Sequence, residues 1–106
     1  MDAELIRLLN NELPVGIAAQ RSYDEVHTEL SSYINQLIKS DFDKLITYLY
    51  RIDVNEQKLK SLLQQNPGED AGNIIATLII ERQQQKIKIR QQFSQQGNNP
   101  DEEEKW

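Results

Sequence analysis

The sequence has no cysteine and a single histidine, His27. The first absence rules out a disulfide framework, a thiolate nucleophile and the paired Cys/His spacing of a zinc site. The second leaves any serine triad with one candidate base. Glycine and proline are scarce, at four and three residues in 106, so the few breaks they make are informative. No run approaches the roughly 18 consecutive apolar residues of a membrane-crossing helix. The opening Met-Asp-Ala-Glu lacks the basic segment and small-residue cleavage site of a secretory leader. Together with the missing thiols, this sets the expectation of a cytoplasmic protein with no membrane association.

Apolar residues are also thin, at 38%, and twelve Gln and eight Asn make up the shortfall. That balance suits one slender domain with much solvated surface, since a chain of this length supports a single core. The formal charge of −5 is uneven. Residues 1–53 carry nine acids and five bases, whereas residues 81–90 carry one acid and four bases. An acidic protein is a poor general binder of nucleic acid, although a local basic patch stays open to it.

What the chain does have is helical periodicity. Phe42 to Ile52 holds seven apolar or aromatic residues in eleven, spread over about 200° at 100° per residue. Such a helix needs cover on more than one side, so it is expected at the centre of the fold. Ser22-Tyr23-Asp24-Glu25 reads as a capping box. It opens a helix whose Tyr23, Val26, His27, Leu30, Tyr33, Ile34, Leu37 and Ile38 share one face. Ser40-Asp41-Phe42-Asp43 repeats the start signal. Asp53-Val54-Asn55-Glu56 supplies a third, with Asp53 the expected N-cap of a helix carrying Leu59, Leu62 and Leu63. Two helices are therefore expected over 42–65 instead of one kinked one.

Before them, residues 3–13 form a short amphipathic helix on Leu5, Leu8, Leu9 and Leu13, with Ile6 at its edge. Pro14 and Gly16 end it. After them, Asn66-Pro67-Gly68-Glu69 is a break and restart, with proline at a first-turn position. The last helix runs from about Asp70 to about Gln95, a rod of roughly 40 Å. Ile74, Ile75, Leu78 and Ile79 lie on its core face, and Ala76, Ile80 and Ile87 form a second stripe. Residues 97–106 have no periodicity and read as a disordered acidic tail.

Candidate chemistry is sparse. His27, at the edge of an apolar face, is expected as a packed, hydrogen-bonded histidine. The run Asp101 to Glu104 lacks the alternating ligands and central glycine of a calcium loop. The glycine cluster at 67–72 has acids where a phosphate would bind. No cofactor, metal or small-molecule substrate is implied. Arg82, Lys86, Lys88 and Arg90, interleaved with glutamines, are the candidate nucleic-acid contacts. The same cations also suit the end of a helix without any partner. Ile80, Ile87, Ile89 and Phe93 are the candidate interface, because a 40 Å helix overhangs its shorter neighbours and bare apolar residues mark contact surfaces. The bland alternative is that helix 3–13 folds back over them.

Two segments carry a resemblance. Leu49-Tyr50-Arg51-Ile52-Asp53-Val54 and Ile79-Ile80-Glu81-Arg82-Gln83, with their surroundings, resemble a group of small bacterial helical proteins of no established activity. The resemblance implies an all-helical fold and transfers no site. A pairing of Arg51 or Arg82 with Asp53 or Glu56 would account for both motifs without a ligand.

The reading is an all-α bundle of four or five helices over residues 1–96, with a long last helix. The expected role is a non-enzymatic interaction or structural protein that self-associates, most economically as a homodimer. Nucleic-acid binding through residues 82–90 is the alternative.

Overall fold

The computed structural model describes the backbone of residues 1–96 and the side chains through Phe93. The acidic tail at 97–106 lies outside the described residues. Five helices make up the fold among the described residues: α1 Ala3–Glu12, α2 Tyr23–Ser40, α3 Phe42–Ile52, α4 Glu56–Gln65 and α5 Ala71–Gln96. The all-helical expectation is met, but the centre belongs to a different helix. It is α5, not α3, that packs against each of the other four. Its buried Ile74, Ile75, Ala76, Leu78, Ile79, Ile80 and Gln83 cover about 240° of the helix at 100° per residue.

Most chain breaks are built as the sequence chemistry dictates. Ser22 Oγ accepts from the Glu25 amide at 3.2 Å and Glu25 Oε1 accepts from the Ser22 amide at 3.0 Å, completing the capping box. Asp41 both ends α2 and caps α3, its Oδ1 accepting from the Lys44 amide. At the next corner the roles differ from expectation. Asp53 ends α3 in the left-handed region, at φ 66°. Its own amide and that of Val54 donate back to Leu49 O, the usual way a left-handed residue closes a helix. The N-cap of α4 is Asn55, whose Oδ1 accepts from the Lys58 amide at 2.9 Å. Pro67 also departs from its expected place: the turn continues to Asp70, and α5 begins at Ala71.

Helices α2 and α5 run antiparallel, as their cross-contacts show. His27 meets Thr77, Ser31 meets Asn73, and Asn35 meets Asp70. The last contact is tight. A Cβ on Gly72 would fall 2.5 Å from Asn35 Oδ1, well inside van der Waals contact. Asn35 Nδ2 meanwhile donates to both Asp70 oxygens, at 2.9 and 3.1 Å. That hydrogen bond, with the Gly72 amide, holds the Asp70 carboxyl below its usual range.

Helix α1 docks instead of fraying, with Leu5, Ile6 and Leu9 buried. Ile6 lies in the core and not at its edge. The connector is folded under it by Asn10, whose amide donates to Ile17 O at 2.9 Å and whose Oδ1 accepts from the Ile17 amide at 2.8 Å. Gly16, at φ 60°, supplies the left-handed turn that lets Ile17 come back. Ile17 is buried as a result.

Candidate functional site

Helix α3 divides its apolar residues into two adjacent stripes. Leu45, Tyr48, Leu49 and Ile52 are buried. Phe42, Ile46 and Tyr50, four residues apart along the helix, are 55, 43 and 86% exposed. The expected cover on more than one side comes from α2 and α5, while the second stripe stays open. Helix α4 is the reason. It packs on α5 but buries no residue of its own. Between α3 and α4 a groove of about 390 Å³ stays open. Ile46, Leu49, Tyr50, Val54 and Leu59 line it, with Asp53, Asn55 and Glu56 at its margin.

On the other side of Asp53 lies a polar cleft of about 420 Å³ between the α3–α4 corner and α5. Arg82 donates to Asp53 Oδ2 at 3.1 Å and to Gln85 Oε1 at 3.3 Å, and Lys58 pairs with Glu81 at 3.5 Å. Of the pairings suggested by the two sequence motifs, Arg82 with Asp53 is present. Arg51 pairs elsewhere, donating to the carboxylate and the carbonyl of Glu12 and lying over the Tyr48 ring at 5.7 Å. The cleft's charges thus pair across its walls, although Arg82 Nε is buried without a partner.

The four candidate interface residues separate. Ile80 and Ile87 are buried, so neither offers a surface. Ile87 borders a shallow cleft with Asp2 and Leu5 of the α1 end, which is the fold-back alternative realised for this part of the helix. Ile89 and Phe93 are 46 and 56% exposed, and every side chain from Lys88 to Phe93 is exposed. The fold-back therefore ends near Arg90, which donates to Glu4 at 3.1 Å. The basic patch separates too: Arg82 and Arg90 hold carboxylates, while Lys86 is half-buried and Lys88 exposed.

His27 is packed and hydrogen-bonded. Its Nε2 lies 2.9 Å from Thr77 Oγ1 and 3.2 Å from Asn73 O, and its ring stacks on Tyr23 at 5.9 Å. Near the other end of α2, burial pushes the Tyr33 phenol up to about 12, with the neighbouring Tyr48 hydroxyl adding to the shift. Among the described residues no group of three or more His, Asp or Glu converges as a metal site. None of their helices is long and apolar enough to cross a membrane.

Residue type alone does not single out two of these features. Gln83 is fully buried with both amide atoms unpartnered, although it stands in a run of three glutamines that reads as surface. Its spacing four residues after Ile79 and four before Ile87 is the signal that places it inside. The exposed stripe of α3 carries no such signal, because nothing local says how far α4 stands off. No family model, curated protein or solved structure matches this chain.

Proposed function

We propose that this is a non-enzymatic, cytoplasmic helical interaction protein that self-associates through the distal part of α5. The carrying observation is the exposure of Ile89 and Phe93, one turn apart, beyond the part of α5 that its neighbours cover. Exposed apolar side chains arranged in line on a rigid element favour a protein partner, and a second copy is the most economical one. The alternative use of residues 82–90 on nucleic acid is less well supported, since Arg82 and Arg90 are already engaged with Asp53 and Glu4.

Light scattering coupled to size exclusion tests the reading. The expected result is a mass above that of one chain at micromolar concentration, returning to the monomer in Phe93→Asp with its helical circular dichroism intact. A strict monomer at high micromolar concentration overturns it.

A further inference from the structure

Ile89 and Phe93 lie in line with Leu78 and Arg82 on α5, at seven- and eleven-residue spacings. Lys86 and Arg90 are their nearest charged neighbours on the helix surface. The groove between α3 and α4 has the opposite character. Its floor is apolar, its margin carries Asp53 and Glu56, and no cation lines it. The two surfaces therefore complement each other in both hydrophobicity and charge.

One molecule cannot bring them together. Arg82 already lies beside Asp53 at the groove's edge, and Phe93 is about 16 Å further along the same continuous helix. The stripe reaches a groove only on another copy. Size points the same way. Ile46, Tyr50, Ile89 and Phe93 are four of the exposed large apolar residues, and large aromatic residues bury roughly 150–250 Å² each. Reciprocal docking covers all four on each chain, adding with its polar margin toward the ~800 Å² per partner of a standard interface.

We propose that the distal stripe of α5 in one copy docks in the α3–α4 groove of a second copy, reciprocally about a two-fold axis. In this arrangement Ile89 and Phe93 cover Ile46 and Tyr50, and Lys86 faces Glu56. Glu56 exchanges its exposed contact with Lys60, which is worth little, for the incoming lysine. This rests on the self-association proposed above and adds the receiving surface.

The absence of native cysteine allows a clean test. Gln57→Cys beside the groove and Gln92→Cys beside the stripe each carry one thiol at an exposed position. When the two proteins are mixed in equal amounts and oxidised, the mixed disulfide is expected to exceed either homodimer at least threefold. Glu56→Lys and Lys86→Glu are each expected to weaken association about fivefold or more, and the two charge-reversed proteins are expected to pair with each other. A dimer by light scattering in which only the Gln92→Cys protein crosslinks, and only to itself, overturns the groove and leaves self-association standing. A strict monomer overturns both.

Discussion

Helices α1 and α4 are near twins by sequence and opposites in the fold. Each has ten residues, each carries leucines on one face, and each lies on α5. Yet α1 sinks Leu5, Ile6 and Leu9 completely, while α4 leaves Leu59, Leu62 and Leu63 half-covered. The difference lies in what closes the flank away from α5. Under α1 the Asn10–Ile17 clasp folds the connector back, and Arg51 reaches across from α3 to Glu12. Beside α4 there is only the Asp53 corner and an open groove. Periodicity specifies which face of a helix turns inward; depth is decided by a third element.

The comparison breaks most readily at a leucine. Leu9→Ala should cost about 2–5 kcal/mol by urea denaturation, as for fully buried leucines, and Leu62→Ala about 1 kcal/mol. Equal losses would erase the distinction. Next in size is Gln83, one turn before the Ile87 that meets α1. An unsatisfied buried amide costs roughly 1–3 kcal/mol, so Gln83→Met, of similar shape, should raise the melting temperature. A fall would mean that a buried water or another group serves that amide.

Amide hydrogen exchange sharpens the contrast without mutation. Backbone amides of α4 should exchange at least tenfold faster than those of α1, because local opening of α4 uncovers less apolar surface. The smallest effects are those of pH, and they fall on neither helix. Asp70 and Glu25 are held below the usual carboxylate range, Asp70 first by the Asn35 amide and Glu25 first by the Ser22 amide. A depressed folded pKa gives stability that is present at neutral pH and lost as pH falls below the ordinary carboxylate values. Tyr33 works in the opposite sense. Its phenol is raised to about 12, so its contribution is intact below pH 10 and lost as pH climbs from 10 to 12. Tyr33→Phe should flatten the alkaline limb, and Asp70→Asn the acid one. Neither should change the ratio of α1 to α4 protection.

How much is legible in the sequence follows the same physics. Caps are local chemistry, so Ser22 and Asp41 can be read from neighbouring residues alone. So can the α2 face, with the exception of Tyr23, which is exposed, and Ser31, which is drawn inside by Asn73. At residues 53–55 two good caps stand two positions apart. The role goes to Asn55 because Asp53 closes α3 in the left-handed region and meets Arg82. The apolar arc of α3 is visible in its spacing, but its cover is not, since that depends on how far α4 stands away. On α5 the cations and glutamines that follow Ile79 point to exposure. Docking of α1 reclaims Ile87 and stops short of Ile89.

Gly72 and Asn35 leave a mark that evolution can be asked about. With the Asn35 amide 2.5 Å from where a Cβ would sit, a side chain at 72 would displace that amide from Asp70. A homologue that gains a side chain at 72 must swing or shorten the residue at 35, giving up its hydrogen bonds to Asp70. The Asp70 carboxylate would then lose the first of the contacts that hold it below its usual range, so a hydrogen atom where other residues carry carbon keeps the corner before α5 tied to α2.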